Sequence, residues 1–413
     1  MHGAHMKNAL VLGGGIQGCC IALMLRKHGY EVTIVDKSED IFNRASINQQ
    51  GKIHLGFNWG LDTSLKTGKK LMLDALYFAP YLEYLLDEKI NWEKLKSTNF
   101  NALVAKDSLL SSDEIGTDFQ ARHTIYLIYM KNEKLTDLGK RPERLFQKTL
   151  LPKQVNPDLF QSCFATEEVA LRTEGIKKII KEKIHSENIS LCLNQHVTSA
   201  KRTSSGFIVE THSEKEGVRQ LESDMIFNCL WEGKMALDKE MGMQVEKGYN
   251  LRLRYGIIAK MSTTFQDLQS FGVIQGPYGD FVNYPQSKEA FFSWYPSSMK
   301  GMVVDQNMPP RWEEACDGHI SDTLKQNLIN ENFNHYHRLM PTLTEFEDPT
   351  IVGGVILAKG YHDIDDPNSK LHERNEFPIT QDDGYVSINT GKFTSAPHNT
   401  LLLEKMLGYQ STW

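Results

Sequence analysis

Residues 9–36 restrict the possible folds more than any other segment: an apolar run Ala9-Leu10-Val11-Leu12, the loop Gly13-Gly14-Gly15-Ile16-Gln17-Gly18, then apolar residues at Ile21, Ala22 and Leu25. The first run has the length of a buried strand and the later spacing is helical, so the glycines fall where a strand turns into a helix. Gly13 allows the tight turn, Gly15 lets backbone N–H groups approach a pyrophosphate, and Gly18 lets the helix lie close on its strand. The helix N-terminus at Ile16 and Gln17 is then aimed at the anion. Gly29 ends the helix, residues 30–35 read as a second strand, and Asp36 stands at its end, followed by Lys37. Asp36 lies 18 residues beyond Gly18, close to the ~20-residue spacing at which an acid meets an adenosine ribose hydroxyl. An acid there favours a free ribose, hence FAD or NAD over NADP, and the fingerprint alone does not choose between those two.

A chain of 413 residues exceeds what one hydrophobic core usually organises, so two domains are expected. Its net charge of -6 supplies no basic field for nucleic acid. Lys177, Lys178, Lys181 and Lys183 alternate with apolar positions and read as the solvated face of a helix. No segment approaches the ~20 apolar residues that span a bilayer, and no secretory signal is seen. The cytoplasm is therefore the expected compartment, with peripheral membrane contact left open. The cysteines at 19, 20, 163, 192, 229 and 316 lack metal-ligand spacing and read as reduced, small apolar residues; no metal is expected. Cys19 and Cys20 begin the helix after the loop, where a helix N-terminus lowers a thiol pKa, but packing against the sheet is the simpler reading. Residues 1–6 read as a remnant of expression cloning ahead of a natural Met6 and are excluded from fold reasoning.

Beyond Asp36 a polar stretch leads to Gly51-Lys52-Ile53-His54-Leu55-Gly56-Phe57, a short apolar segment with flanking glycines that suits backbone passing close to a ligand. Residues 65–86 read as a helix, and 91–130 as several short strand-like runs, among them 124–129. A helix is expected around 176–181 and strands at 206–211 and 224–230. Aromatic strands such as those at 281–284 and 291–295 usually form core, but in a second domain they also suit the wall of a substrate cavity. After a helix at 320–340, residues 384–389 lead through Thr390-Gly391-Lys392-Phe393-Thr394 into a last helix at 401–407, a second strand, glycine turn and helix unit.

With these residues assembled, the chain resembles the FAD-dependent oxidoreductases of the D-amino acid oxidase superfamily, which includes glycine oxidase, sarcosine oxidase and L-2-hydroxyglutarate dehydrogenase. The resemblance is carried by the extended fingerprint with Ala22, Leu25, Gly29, Val32 and Asp36, and by residues 50–56, similar to the family's loop past the flavin ring and most like its hydroxyglutarate dehydrogenase branch. Gln195-His196-Val197 sits where the family places a strand residue whose backbone meets adenine, and residues 390–394 are similar to the C-terminal glycine turn that closes on the flavin. Two departures stand out: Asn228-Cys229-Leu230-Trp231-Glu232-Gly233 replaces a small-residue turn, and Gly391-Lys392 replaces a run of glycines.

The resemblance implies an α/β fold: a discontinuous Rossmann-like FAD-binding domain (6–85, 155–240 and 348–413) and an α+β substrate domain with a mostly antiparallel sheet (86–154 and 241–347). It implies FAD, noncovalent or, as in some relatives, attached through a histidine or cysteine, His54 lying near the histidine that one branch uses; the residues holding it are Gly13, Gly15, Ile16, Gln17, Gly18, Asp36, Lys37, Gln50, Gly51, Val197, Gly391, Lys392, Phe393 and Thr394. It further implies hydride transfer to flavin from a small-molecule carboxylate substrate, an amino acid or 2-hydroxy acid, with O2 or a quinone or other electron carrier as acceptor. Oligomeric state stays open.

Such a site needs a carboxylate anchor and, for some substrates, a base. Arg252 and Arg254, two apart on a strand-like run, share a face, and a guanidinium fork suits a carboxylate; two arginines on an exposed face is the alternative. Tyr255, Tyr284 and Tyr295 are candidate pocket walls or core. His54 serves as a general base or as a hydrogen-bond partner of backbone or flavin. Lys392 suits the flavin's pyrimidine end, and His398 begins the last helix and suits its cap. A non-redox flavoprotein such as a sugar mutase, or an NAD-binding protein, remains an alternative on fold alone.

Overall fold

In the computed structural model the described residues are 7–364, 366, 369–372, 379–411 and 413. Residues 1–6, assigned above to cloning, lie outside them. The opening segment folds as its pattern predicts: strand β1 (Asn8–Leu12), helix α1 (Ile16–Lys27) and strand β2 (Glu31–Val35). β1 pairs in parallel with β2, Leu12 opposite Val35, and on its other side with Met225–Asn228, Leu12 opposite Asn228. The carboxyl ends of three strands are therefore level, which brings Gly13, Asp36 and Cys229 to one edge of the sheet, where ligands of open parallel sheets bind.

That sheet has six strands, in the order Ile379–Asp382, Tyr385–Ile388, Met225–Asn228, β1, β2 and Ser190–Cys192. Only the first joins antiparallel. The long helix α2 (Lys66–Leu86) and the last helix Ala396–Met406 pack with α1 on it. Their contact is polar as well as apolar. Asp74, fully buried on α2, accepts from Ser395 Oγ and pairs with His398 Nδ1, both at 2.6 Å, while His398 stacks on Tyr77 at 4.3 Å. His398 thus fastens two helices together and is not the helix cap suggested by its position. Buried Gln17 donates to Thr400 Oγ1 at 3.0 Å and to the Ala396 carbonyl at 3.2 Å, tying α1 to the same helix.

A three-stranded antiparallel sheet, His196–Thr203, Gly206–Ser213 and Gly217–Ser223, leads back to Met225. The nine-stranded sheet is mixed but mostly antiparallel. Its longest strands are Tyr249–Lys260 and Glu347–Lys359, paired antiparallel with Arg254 opposite Gly354. A second apolar core lies against it, formed with the helix Asp322–Leu339. Phe160–Thr166 pairs with Phe100–Ala105 and also belongs to this sheet. Sheet membership therefore differs in two places from the sequence-based boundaries, which had put residues 155–240 and 348–413 with the nucleotide fold.

Residues 124–129, read as a strand, lie in the helix Ser112–Tyr129. Ser111 and Glu114 form a full capping box at its start, and Arg122, fully buried, pairs with Asp118 one turn back at 2.6 Å. These local bonds outweigh the strand preference of the Thr-Ile-Tyr-Leu-Ile-Tyr run. Among the described residues no helix is long and apolar enough to cross a membrane.

Candidate cofactor and substrate site

A cavity of about 660 Å³ opens at the level strand ends and runs between the two large sheets. At its first end lie Gly13, Gly15, Ile16, Gln17, Asp36, Lys37 and Val197. Gly13 has φ +104°, and a Cβ there would lie 2.5 Å from the Cys229 carbonyl oxygen; a Cβ on Gly18 would lie 1.9 Å from the Gly13 carbonyl oxygen. Gly18 is thus a packing residue beneath the loop and does not line the cavity, whereas Gly15 presents backbone to it. Ile16 N donates to Ser46 Oγ at 3.0 Å, which holds the helix N-terminus against the polar segment after β2.

Asp36 braces the loop as well as facing the cavity. Its Oδ2 accepts from Gly14 N at 2.6 Å and its Oδ1 from Ser38 N at 2.8 Å. Burial pushes its pKa up, and these two hydrogen bonds oppose that rise. Asp36→Ala is expected to weaken FAD binding roughly ten- to a hundredfold, the worth of a charge-assisted hydrogen bond of about 1.5–3 kcal/mol. Titration of apoprotein with FAD measures it. Cys19 and Cys20 are fully buried beneath the loop, and burial raises both thiols, so packing is their role.

The unusual turn after Met225–Asn228 joins the two sheets. Trp231, at φ +54°, donates its indole N–H to the Val355 carbonyl at 2.8 Å. Glu232 meets Lys37 at 3.2 Å and Arg44 at 3.1 Å, and both cations also meet Glu313 of the helix Arg311–Cys316, at 2.9 and 2.6 Å. All four charged residues line the cavity.

Towards its other end the cavity is lined by Gln50, Lys52, His54, Arg254, Gly391, Lys392 and Phe393. Lys52 is 3 % exposed. Its Nζ lies 3.2 Å from Glu168, 3.8 Å from Asp280 and 4.1 Å from the Phe100 ring centre. Asp280 also accepts from Gln50 Nε2 at 3.3 Å and lies 3.9 Å from Arg254 Nη2. Arg254 donates from Nε to Ser293 Oγ at 3.1 Å, and its guanidinium faces the Tyr295 ring. The Tyr284 hydroxyl donates to the Gln50 carbonyl.

His54 is buried, meets Trp59 edge-to-face at 4.8 Å, and donates its backbone N–H to Thr394 Oγ1 at 3.5 Å. Thr394 in turn donates to the Lys52 carbonyl at 3.0 Å, so it positions the strand Lys52–Ile53 and His54 after it without lining the cavity. Lys392 Nζ sits 5.4 Å from the Trp59 ring centre. Gly51, at φ +67°, also stays outside the lining; a Cβ there would lie 1.9 Å from the Leu171 carbonyl oxygen.

The structure thus gathers thirteen of the sixteen residues expected from sequence around one cavity, leaving Gly18, Gly51 and Thr394 behind it as supports. Sequence reasoning gave no role to Lys52, Arg44, Ser46, Trp231, Glu232, Asp280 or Glu313. Two signals were there to read: Lys52 is a lysine inside an otherwise apolar run beside Gly51, and Trp231 and Glu232 stand in the unusual turn 228–233. An extended dinucleotide fits the arrangement: a backbone cradle that side chains would fill at one end, and a glycine turn with buried charge at the other.

The family described as FAD dependent oxidoreductase matches residues 8–356. Among solved structures, glycine oxidase from Geobacillus kaustophilus is similar with a TM-score of 0.67 and 12 % identity, over 99 % of this chain and 97 % of that one. The FAD-bound L-alpha-glycerophosphate oxidase from Mycoplasma pneumoniae is similar with a TM-score of 0.61 and 14 % identity, over 98 % and 96 %. A tRNA 5-methylaminomethyl-2-thiouridine biosynthesis bifunctional protein from Hahella chejuensis is 30 % identical over 73 residues, 17 % of this chain and 12 % of that protein. The match thus spans about an eighth of that relative's length.

Proposed function

Since the chain belongs to the FAD dependent oxidoreductase family, matched over residues 8–356, we propose that it oxidises a small amino acid or 2-hydroxy acid held by its carboxylate at Arg254. The observation that carries this reading is the position of Arg254 on the cavity wall with His54, Lys52 and Lys392. Among the described residues its guanidinium hydrogen-bonds only through Nε, to Ser293. Its Nη2 lies 3.9 Å from Asp280, beyond hydrogen-bond reach, so the terminal N–H groups are still able to grip a carboxylate as a fork. In this reading residues Gly13 to Lys37, Val197 and the turn Gly391 to Phe393 hold FAD, and the nine-stranded sheet supplies the substrate wall.

Bound FAD would supply the acceptor for a substrate hydride, and O2, a quinone or another electron carrier would reoxidise it. Arg254 fixes which carbon faces the flavin by holding the adjacent carboxylate. His54 takes the hydroxyl proton when the substrate is a 2-hydroxy acid, leaving the carbonyl product. An amino acid needs no such base once its amine is neutral, and Asp280, beside Arg254, offers a counter-charge to an ammonium group on arrival.

Arg254→Met is expected to raise the KM for the acid roughly ten- to a hundredfold, the worth of the charge-assisted bonds it removes, while flavin content stays at the wild-type level. Steady-state kinetics with flavin quantitation checks both. An unchanged KM would move the carboxylate away from Arg254.

A further inference from the structure

Four of the large apolar side chains exposed among the described residues, Leu127, Ile128, Leu402 and Met406, sit on the two helices beside α2, at 50, 57, 41 and 39 % exposure. The end of the helix Ser112–Tyr129 meets the start of α2, where the Tyr129 hydroxyl donates to the Lys69 carbonyl at 3.5 Å. The helix Ala396–Met406 runs along α2: His398 stacks on Tyr77, and the Tyr81 hydroxyl donates to Glu404 at 2.9 Å. Leu402 follows His398 by one turn and Met406 by two, on the same side of that helix. Trp413 joins the two ends. Its ring lies 5.3 Å from Tyr77 and 5.7 Å from Tyr81, and Lys134 Nζ sits 5.1 Å from its centre.

Lysines rim this face. Lys66 and Lys69 stand on the first turn of α2, Lys131 and Lys134 follow Tyr129, and Lys405 lies between Leu402 and Met406; all five are exposed, and none makes an ion pair among the described residues. The acids of the same segments are withdrawn. Asp74, Glu404 and Asp137 are buried, leaving Glu133 as the exposed carboxylate within residues 66–82, 124–137 and 396–406. A chain of net charge -6 thus turns a basic face outward here. Exposed apolar side chains ringed by lysines, with half-buried Tyr77 and Trp413 among them, suit the boundary between lipid headgroups and acyl chains. Lysine stems cover apolar surface while their ammonium groups meet phosphate, and amphipathic rings sit at headgroup level. Nucleic acid would use the lysines and leave Leu127, Ile128 and Leu402 in water.

We propose that this face docks the enzyme on an anionic lipid surface, with Leu127, Ile128 and Leu402 entering the headgroup boundary and the five lysines meeting lipid phosphates. Among the described residues no helix is long and apolar enough to cross a membrane, so the contact is peripheral and reversible. None of these residues lines the cofactor cavity, and the docking therefore stands or falls apart from the reading of Arg254.

The test sediments the FAD-loaded enzyme with vesicles of phosphatidylcholine alone, or of phosphatidylcholine and phosphatidylglycerol in equal parts, at low and high sodium chloride. Wild type is expected to bind the mixed vesicles, to ignore the neutral ones, and to come off as salt screens the lysines. Lys131→Gln with Lys134→Gln lowers the affinity about fivefold for each lysine removed. Leu127→Ser with Ile128→Ser lowers it roughly tenfold through lost apolar burial. Both pairs are exposed, and their flavin content and melting temperature are expected to match wild type. Wild type that stays in solution with the mixed vesicles at low salt, a result that needs no variant, would overturn the docking. Vesicle binding that the serine pair leaves unchanged would do the same, as would a lysine-dependent affinity for duplex RNA above that for the mixed vesicles, which would assign the face to nucleic acid.

Discussion

Gly18→Ala is expected to give a folded protein that purifies without flavin. The added methyl would sit 1.9 Å from the Gly13 carbonyl oxygen and 3.2 Å from Val11 Cγ1. The first of these is backbone, which no rotamer change relieves, so α1 must lift from β1 or the Gly13 turn must move. Either movement spoils the alignment of backbone N–H groups on which pyrophosphate binding depends. The strain costs about 1–3 kcal/mol, the usual range for an overpacked methyl, so the fold survives with a lower melting temperature. Gly116→Ala is the control. Its Cβ would meet only Phe164 at 3.8 Å, an ordinary contact, and it lies in the helix Ser112–Tyr129. That variant keeps its flavin. A Gly18→Ala protein with wild-type flavin content would show that the close approach of α1 to β1 is not what shapes the cradle.

His54→Ala separates the two substrate classes. An alcohol lacks a lone pair able to expel hydride until its proton is removed, whereas a neutral amine already has one. A positioned base contributes about 10²- to 10⁴-fold, so with a 2-hydroxy acid the variant should reduce its flavin slower by a factor in that range. With an amino acid the loss should be small, and raising the pH restores much of it by deprotonating the free amine. Stopped-flow reduction under anaerobic conditions from about pH 6 to about pH 10 makes the distinction. Wild-type rates for the variant throughout would remove His54 from the chemistry and leave it as the partner of Trp59 and Thr394.

The cofactor end was legible because its constraints are local. One strand, one turn and one helix must follow each other within a few residues, and glycines are needed where Cβ atoms would strike backbone, as at Gly13 and Gly18. The sheet boundaries were not, because pairing partners lie far apart in sequence: Phe160–Thr166 joins Phe100–Ala105, and Glu347–Lys359 joins Tyr249–Lys260. A strand carries no mark of which sheet it will extend. The helix at residues 124–129 was hidden by β-branched and aromatic residues, although its capping box, Ser111 with Glu114, was readable fifteen residues upstream of Tyr126. The role of Lys52 was not legible either, since nothing local says that Glu168 and Asp280 will bury it. The departure at Asn228 to Gly233 was visible as a departure, but its use in holding Lys37, Arg44 and Val355 emerges only in three dimensions.

The most direct measurement mixes the FAD-loaded enzyme anaerobically with a panel of small amino acids, amino diacids, 2-hydroxy acids and 2-hydroxy diacids, and follows the flavin's visible absorbance. Bleaching by at least one member, saturable in wild type and weakened in Arg254→Met, is the predicted result. A flavin that dithionite bleaches but no member of the panel reduces would contradict the assignment and point to a non-redox use of the cofactor.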